Sequence, residues 1–336
     1  MASLEEVARR AQVSTATASR ALNGRGRVSD ATRARVRDAA DALGYVVSAS
    51  ASSLATGRTL SIGVLVPLLD RWFYSSVLDG IATRLAPRGY DLTLYNLTDS
   101  PEQRRHLFQT SLRRGRVDAV VALSLLLTDD EIDQLLALRL PVVGLGAPSP
   151  RLATLRVDDT AVARTATGHL LDLGHRRIAH IGQSTTEAAG SGIHSLDIPT
   201  LRRQGFEQAL RDAGVEPAGF VAADFTIDGG HRAARELLAG PDRPTAIFAA
   251  SDEMAFGALF AARELGLEVP GDLSVVGVDG HEMSDFFGLT TIAQFPHGQG
   301  ERAAEAILGL LEDGHEPAGT ALPFELVVRT STSPPR

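Results

Sequence analysis

Hydroxyl and guanidinium side chains are concentrated near the N-terminus, in a short segment that could bind nucleic acid. Side chains of these types donate hydrogen bonds to phosphate oxygens and to base edges. On a helix placed in the major groove, Thr15, Ala16 and Arg20 would face base edges. Thr17 and Ser19 would suit phosphate oxygens. We therefore predict that this segment contacts DNA.

A second group of residues could bind a small molecule. Trp72, Phe73 and Tyr74 follow the first strand predicted beyond this segment, although aromatic residues make up only 5% of the protein. The flat apolar face of a sugar or a base packs well on an aromatic ring. We predict this contact for Trp72 and Phe73; the alternative is that Phe73 and Tyr74 pack in the core. Ser124 and Ser251 also lie at predicted strand ends, where ligands of α/β folds bind.

Several kinds of catalysis are excluded by residues that the chain lacks. There is no cysteine, and all 33 basic residues are arginine. Thiol nucleophiles, cysteine-bound zinc, a nucleotide-binding P-loop and lysine Schiff bases are therefore excluded. The nine histidines show no metal-binding spacing, and neither a GxSxG turn nor a dinucleotide fingerprint is present. We predict that the protein is not an enzyme and has no catalytic residue, bound metal or cofactor.

Charge is distributed unevenly along the 336 residues, whose net charge is −8. Residues 1–58 hold nine arginines and five acidic residues, a net charge of +4, and the remainder has a net charge of −12. This asymmetry indicates that contact with nucleic acid is confined to the N-terminal part. The N-terminus has no apolar signal core and no apolar run is long enough to span a membrane, so we expect a cytoplasmic protein without a membrane partner.

The basic segment is predicted to fold as three short helices. Ser3 and Glu6 have the spacing of a capping box before the first helix, and Ser14 would cap the second. Ser29 would cap a third helix that ends at Gly44. The first two helices and their short turn are typical of a helix-turn-helix, whose second helix enters the major groove. A three-helix cap with ordinary surface residues is the alternative.

The acidic remainder alternates short apolar strands with amphipathic helices. Parallel sheets that are covered by helices on both faces produce this alternation. Two such series predict two doubly wound lobes with a ligand cleft beyond the carboxyl ends of the strands. The predicted fold class is therefore α/β, preceded by an all-α head. The predicted strands are 60–67, 91–95, 119–123 and 141–144 in the first series, and 177–181, 220–223, 245–249 and 273–278 in the second.

Sequence blocks along nearly the whole chain match those of one known family. They include VSTATASRALNG and LGY in the head, and LRRQGFEQAL and VVGVDG in the remainder. With these blocks the chain resembles the LacI/GalR family of bacterial transcription regulators. The resemblance implies that Thr15, Ala16 and Arg20 select the operator, Ala16 through an apolar contact such as a thymine methyl. It also implies a homodimer that binds a palindromic operator.

Residues 47–58 form a serine- and alanine-rich segment after the head. By composition this segment is a flexible linker. In the family that the chain resembles, the stretch is a hinge helix that inserts a leucine into the minor groove, and Leu54 holds the matching position. The sequence departs from the family pattern at Val47-Ser48, and also at Ser52, where an arginine is usual. Without that arginine the hinge has a weaker hold on phosphate.

The resemblance also implies which residues bind an effector. Arg202 matches the arginine of the family's RxxGF block, Asp279 the acidic residue of its VVGxD block, and Phe225 an aromatic residue over the ligand. An arginine and a carboxylate can bind vicinal hydroxyls, which favours a mono- or disaccharide. Ser251 and Gly280 replace more polar residues of the family. Related regulators bind nucleobases or nucleosides, so that alternative stays open.

The predicted domain organisation has three parts. The chain is expected to cross between the lobes near Asp158, Leu289 and Gly319. The long loop over residues 183–200 either covers the ligand or is a surface loop. The predicted parts are a helix-turn-helix domain (1–46), a hinge (47–58) and an effector-binding and dimerisation domain (59–336), whose first lobe comprises about 59–158 and 290–318 and whose second comprises about 159–289 and 319–336.

The function that these features predict is sequence-specific regulation of transcription. We expect a repressor of carbohydrate-utilisation genes whose operator affinity is controlled by a small molecule, most simply a sugar, in the cleft between the lobes. Alternatives are a sugar-binding protein of periplasmic type, a cytoplasmic sugar- or nucleoside-binding protein with no role in transcription, and a sugar-modifying enzyme. The missing signal peptide and the DNA-binding head contradict the first, and the missing catalytic residues contradict the third, whereas the second stays open as the alternative to regulation.

Overall fold

The computed structural model describes residues 2–22, 27–45, 57–97, 100–183, 198–312, 314 and 321–336. Backbone contacts divide the chain into two compact units. The first contains a three-helix head, and the second contains two α/β lobes. The first unit comprises residues 1–61 and 115–118, and the second comprises residues 62–114 and 119–336.

Three helices form the head: α1 (Leu4–Arg10), α2 (Thr15–Leu22) and α3 (Asp30–Leu43). The predicted capping box is present at the start of α1. The Ser3 hydroxyl accepts a hydrogen bond from the Glu6 backbone N–H, and the Glu6 carboxylate accepts one from the Ser3 backbone N–H. These reciprocal bonds satisfy two donors that the first turn would otherwise leave free.

The other predicted helix ends of the head are also confirmed. The Ser14 hydroxyl accepts the Thr17 backbone N–H, and the Ser29 hydroxyl accepts that of Thr32. Helix α3 ends at Gly44, whose φ of 60° suits a residue without a Cβ. The three helices enclose a small apolar core of Val7, Ala8, Ala11, Ala18, Ala21, Val36, Ala39 and Ala40.

The first lobe is built on a five-stranded sheet. Its strands are β1 (Ser61–Val66), β2 (Asp91–Asn96), β3 (Ala119–Leu123), β4 (Val142–Leu145) and β5 (Thr154–Leu155). They have the order β2-β1-β3-β4-β5, and β1·β3, β3·β4 and β4·β5 are parallel pairs. Its helices are α4 (Trp72–Leu85), α5 (Pro101–His106) and α6 (Asp129–Ala137), with shorter helical turns at Ala86–Arg88, Leu107–Ser111 and Leu112–Arg114.

The second lobe has a six-stranded sheet. Its strands are β6 (Ile178–Gly182), β7 (Gly219–Ala222), β8 (Ala246–Ala249), β9 (Ser274–Asp279), β10 (Thr290–Ala293) and β11 (Glu325–Val327). They have the order β11-β10-β9-β8-β6-β7, parallel except for the antiparallel pair β10·β11. The predicted doubly wound lobes are confirmed, with one unpredicted antiparallel edge strand. Its helices are α7 (Asp159–Asp172), α8 (Ile198–Asp212), α9 (Ile227–Leu238), α10 (Asp252–Glu264) and α11 (Ser284–Phe287).

The chain crosses between the lobes at places that agree only in part with the prediction. β5 and α7 flank the first crossing, near Asp158. The second crossing lies after Ala293, not near Leu289, because β10 pairs with β9 along its whole length. Helix α12 (Pro296–Glu312) then returns to the first lobe and packs on α4. The third predicted crossing, at Gly319, lies outside the described residues.

Asp118 fixes the chain just before β1. Its carboxylate accepts hydrogen bonds from the backbone N–H groups of Thr59, at 2.7 Å, and Leu60, at 2.9 Å. The Thr59 hydroxyl adds a third bond at 2.8 Å. These contacts tie the segment before β1 to the segment before β3. The boundary defined by backbone contacts accordingly falls after Ser61 rather than at residue 59.

Candidate functional site

A cavity of about 520 Å³ lies between the two lobes, where parallel strands of both sheets end. This is the place where α/β folds bind ligands, and the volume is in the range of small-molecule sites. The predicted effector-binding residues that line it are Phe73, Ser124, Arg202, Phe225, Ser251 and Asp279.

Arg202 is the buried cation of the cleft, with only 4% of its surface exposed. Its Nε donates a hydrogen bond to the Asp159 carboxylate at 2.9 Å, and its Nη1 donates to the carbonyl oxygen of Ala250. The same Nη1 lies 4.0 Å from a carboxylate oxygen of Asp279. Arg202 therefore has Asp159 as its direct partner, and Asp279 acts on it through space.

Asp279 is held in an unusual backbone conformation at the end of β9. Its φ is 130°, a region that residues with a Cβ rarely adopt and that is often found at functional sites. Its carboxylate accepts a hydrogen bond from Gln294 Nε2 at 2.7 Å. The Gln294 carbonyl in turn accepts one from Gln299 Nε2 at 2.8 Å. Because Gln294 lies in the second crossing, these bonds link the carboxylate to the connection between the lobes.

Burial dominates the electrostatics of this group. It raises the pKa of Asp279 well above the ordinary value, and the positive charge of Arg202 opposes the rise. The pKa of Asp159 is also raised by burial and is likewise opposed by Arg202. Burial and the charge of Asp279 raise the pKa of Tyr74 to about 12. The Tyr74 phenol therefore stays neutral at physiological pH.

Phe73 and Tyr74 both pack in the apolar core and line the cleft, which the sequence analysis had treated as alternatives. Helix α4 begins at Trp72, so both aromatic residues lie in its first turn. Both rings pack against the apolar core, and both line the cleft. Phe225 lines the wall contributed by the second lobe. Its φ of 56° places it in the sharp turn before α9.

Trp72 is not among the residues that line the cleft, contrary to the prediction. Its indole stacks on the imidazole of His281, with ring centroids 4.4 Å apart and planes inclined by 29°. Trp72 and Phe73 point in directions about 100° apart on α4, and the stack on His281 takes the indole away from the cleft that Phe73 lines. Trp72 therefore joins the first lobe to the loop that follows β9.

The two predicted serines, Ser124 and Ser251, both line the cleft, and the hydroxyl of Ser251 also caps a helix. Ser124 has a φ of 48° at the end of β3. The Ser251 hydroxyl caps α10 by accepting the Met254 backbone N–H at 3.2 Å. Ser251 is thus already committed to a structural hydrogen bond, as a capping residue must be.

Several polar and aromatic residues that line the cleft were not predicted from the sequence as ligand-binding candidates. Asp159 bonds to Arg202, 43 residues away, and Gln294 bonds to Asp279, 15 residues away. No local sequence pattern predicts contacts over such separations. Arg104 pairs with Glu131 through two bonds of 2.7 Å, which also brings together distant residues. The only available signals were positional, since Arg71 and Tyr74 directly adjoin the aromatic pair Trp72-Phe73.

The head presents the predicted DNA-contacting residues on α2. Thr15, Ala16 and Arg20 are exposed, whereas Thr17 and Ser19 are half-buried. The Thr17 hydroxyl lies 2.9 Å from the Ser14 hydroxyl, within hydrogen-bond distance. The exposed side of α2 thus carries the side chains expected to face bases. The sixth predicted residue, Leu54, lies outside the described residues.

Residues 3–48 match the family described as bacterial regulatory proteins, lacI family, and residues 167–332 match the periplasmic binding protein-like domain. The chain is 34% identical to the HTH-type transcriptional repressor CytR of Escherichia coli K12 over 340 residues, which cover 98% of this chain and 96% of CytR. The chain belongs to the LacI family of bacterial transcription regulators. It is therefore a DNA-binding regulator of transcription.

Solved structures of LacI-family proteins support the same conclusion. The Lac repressor dimer bound to operator and the anti-inducer ONPF matches with a TM-score of 0.86 and 28% identity, covering 99% of both chains. The transcriptional regulator CelR in complex with cellobiose matches with a TM-score of 0.70 and 31% identity, covering 98% of this chain and all of the other. LacI-family regulators of this kind combine a helical head with two α/β lobes, as this chain does.

Two features are absent from the described residues. No group of three or more His, Asp or Glu side chains in that part of the chain is arranged to hold a metal ion. Among the same residues, no helix has both the length and the apolar character needed to cross a membrane.

Proposed function

We propose that this LacI-family protein is a transcriptional repressor whose operator affinity is controlled by a sugar bound in the cleft. The observation that carries the proposal is the buried pair of Arg202 and Asp279, 4.0 Å apart, between aromatic walls. A guanidinium and a carboxylate at this separation can bind neighbouring hydroxyls of one ring. Phe73 and Phe225, on opposite lobes, offer apolar faces to the same ring.

The size and charge of the cleft favour a neutral ligand of one or two sugar rings. The cavity of about 520 Å³ is larger than a single small ring. Side chains of both lobes line it. The cellobiose complex of CelR, a structural neighbour, supports a saccharide of this size. Positive and negative side chains of the cleft nearly balance: Arg71, Arg104 and Arg202 against Asp159, Asp224, Glu253 and Asp279.

We infer that α2 reads the operator, with Thr15, Ala16 and Arg20 at base edges and Thr17 and Ser19 at phosphates. The exposure of the first three side chains supports this assignment. By resemblance to the family, Leu54 would insert into the minor groove and bend the duplex. Because the operator is chromosomal DNA, we place the protein in the cytoplasm.

We further propose that the protein acts as a homodimer on a palindromic operator. The second lobe exposes an apolar patch of Phe260, Met283, Phe286 and Phe287, in which Phe286 is 83% exposed. Exposed aromatic side chains of this kind usually mark a protein–protein contact. The Lac repressor neighbour is described as a dimer on operator, and a second copy of this chain is the partner that fits a two-fold operator.

An effector can change operator affinity only if it binds one state of the protein more tightly than the other. We propose that an inducing sugar closes the two lobes on each other, moves the hinges apart and withdraws Leu54 from the minor groove. The hydrogen bond from Gln294 to Asp279 supports this coupling, because it joins the ligand-facing carboxylate to a crossing between the lobes. Like the repressors it resembles, the protein performs no catalysis in this scheme.

The test begins with a thermal-shift screen of sugars and nucleosides on the full chain. DNA affinity is then measured with and without the best sugar, on a duplex that the parent protein selects from a random-sequence pool. Arg202→Ala and Asp279→Ala should abolish the sugar response and leave DNA affinity close to parental. Leu54→Ala should do the reverse. Arg203→Ala is the matched control, because Arg203 pairs with Glu207 and lies over Phe220 outside the cleft.

Two outcomes would contradict the proposal. If folded Asp279→Ala loses DNA binding as completely as Leu54→Ala, the cleft and the DNA contact are not separate sites. If nucleosides stabilise the parent and no sugar does, the ligand class is wrong, although regulation by a cleft-bound effector would stand.

A further inference from the structure

We propose that Arg113, Arg114 and Arg116 form a second DNA-contacting surface, outside the head, that binds phosphates beside the operator. The proposal rests on DNA binding by the head and adds a partner surface to it. From Gln103 to Val117 the chain has five arginines and no acidic residue. This basic stretch lies within a part of the chain, residues 59–336, whose net charge is −12.

The three arginines are available to a partner. Arg113 and Arg114 end a single helical turn, and Gly115, with a φ of 60°, leads to Arg116. All three side chains are exposed, and none has an ion pair or hydrogen bond to another described residue. Arg104 of the same stretch is not available in this way, because it forms an ion pair with Glu131.

The covalent chain limits how far these arginines can lie from the end of the head. Arg116 lies two residues before Asp118, which holds Thr59 and Leu60 through three hydrogen bonds. Only 14 peptide units separate Tyr45 at the end of the head from Thr59. This distance is at most about 50 Å for an extended chain and about 20 Å for a helix. Half-sites on an operator are themselves about 34–36 Å apart, so the arginines stay within reach of the duplex.

Positive charge on this surface would offset the repulsion between the acidic part of the chain and DNA. An acidic domain held beside DNA is repelled by the phosphates, and the repulsion extends over a Debye length of about 8–10 Å at physiological salt. Exposed arginines that reach the duplex would replace repulsion with phosphate contacts and release counterions. Because no neighbouring side chain holds them in a fixed geometry, they are expected to strengthen binding without reading base sequence.

The experiment compares the full-length parent with Arg113→Gln/Arg114→Gln/Arg116→Gln on a duplex that the parent selects from a random-sequence pool, with flanking base pairs on both sides. Affinity is measured over a range of salt concentrations. Each lost phosphate contact reduces the slope of log K against log salt by about 0.9. With three arginines in each of two protomers, the slope can fall by up to about five. We expect a reduction of at least about two and a roughly tenfold or greater loss of affinity at about 0.15 M salt.

The matched control is Arg177→Gln/Arg211→Gln/Arg302→Gln, which removes the same charge from three other exposed arginines that have no ion pair with described residues. It should keep the parental slope, and both variants should keep the parental melting temperature. The ratio of affinities for selected and scrambled duplexes should also stay parental in the first variant. An unchanged slope, an equal loss in the control, or a collapse of that ratio would each overturn the proposal. The parent's own preference for its selected duplex reports separately on the head.

Discussion

At the scale of single residues, His180 is a titratable group buried outside the cleft, with 1% of its surface exposed. Its ring stacks on Phe206 and Phe248, with centroids 5.1 and 4.8 Å away, and Nδ1 donates to the Phe248 carbonyl at 3.0 Å. Nε2 has no hydrogen-bond partner in the described part of the chain. Burial lowers the pKa of His180 to about 4, so the folded protein holds this ring neutral.

His180 should make the protein less stable in acid. Its pKa is about 6.5 in the unfolded chain and about 4 in the folded one, so the unfolded state binds the extra proton between these values. The stabilisation is complete above about pH 6.5 and is lost as the pH falls towards 4, by about 3 kcal/mol. Denaturant unfolding at several pH values should show a flatter profile for His180→Phe than for the parent. His106→Gln, at an exposed position, should keep the parental profile.

Arg20 is the side chain of the head from which we expect the strongest base contact. Arg20→Ala should weaken binding to the selected duplex by about 1–3 kcal/mol and relax the preference at one base position in each half-site. Arg37→Ala, an exposed arginine on α3, should leave base preference unchanged. Electrophoretic shifts with selected and scrambled duplexes measure both effects. Equal behaviour of Arg20→Ala and the parent on both duplexes would show that Arg20 reads no base.

At the scale of elements, close packing of α4 against α12 positions the first-lobe wall of the cleft. A Cβ at Gly300 would collide with the Val77 carbonyl, and one at Gly80 would collide with the His297 carbonyl. The two backbones therefore touch at these glycines, and no side chain can be inserted without moving a helix. Since α4 begins with the aromatic residues at the cleft, this contact also sets their position.

Gly300→Ala should destabilise the protein by roughly 1–3 kcal/mol, because the added methyl group must push two helix backbones apart. Gly168→Ala is the matched control within a helix. A Cβ at Gly168 meets nothing within 4 Å, so alanine there should be neutral or stabilise the protein by up to about 1 kcal/mol through helix propensity. Denaturant midpoints of the two variants and the parent measure the difference. Equal stability of the two variants would contradict the packing argument.

At the scale of the whole molecule, we propose that two copies of the chain act together on the operator. A single head offers only one short helix to the major groove, whereas two heads read two half-sites in register. The apolar patch around Phe286 on the second lobe is the surface that we assign to the second copy. Removal of residues 1–58 should therefore leave a dimer that no longer prefers the selected duplex over a scrambled one, because the residues expected to read bases are gone.

Phe286→Glu should weaken the dimer by about 2 kcal/mol or more, because a charge replaces a side chain that is 83% exposed in the single chain and buried by the partner. Sedimentation over a range of protein concentrations measures the dissociation constant. Leu136→Glu changes another exposed apolar residue, 43% exposed on the first lobe, and should leave the dimer intact. A parental dissociation constant for Phe286→Glu would place the dimer contact on a different surface.

The sequence by itself determined those features that depend on neighbouring residues. Helix caps act over three or four residues, so Ser3, Ser14, Ser29 and Gly44 predicted the helices of the head correctly. Continuous apolar runs predict buried strands, so β3 was predicted with the bounds that the structure shows. Family blocks supplied Arg202 and Asp279, and both line the cleft.

Only the tertiary structure decided which side chains meet across the cleft. Asp159 rather than Asp279 became the partner of Arg202, because the hydrogen bond depends on how α7 and α8 pack and not on spacing in the sequence. Trp72 does not line the cleft because its indole stacks on His281, a residue distant in the sequence. β10 was missed because its first two residues are threonines and it therefore lacks a continuous apolar run, and its pairing with β9 moved the crossing and put Gln294 beside Asp279. Each of these outcomes depends on contacts between distant segments, which local sequence patterns do not encode.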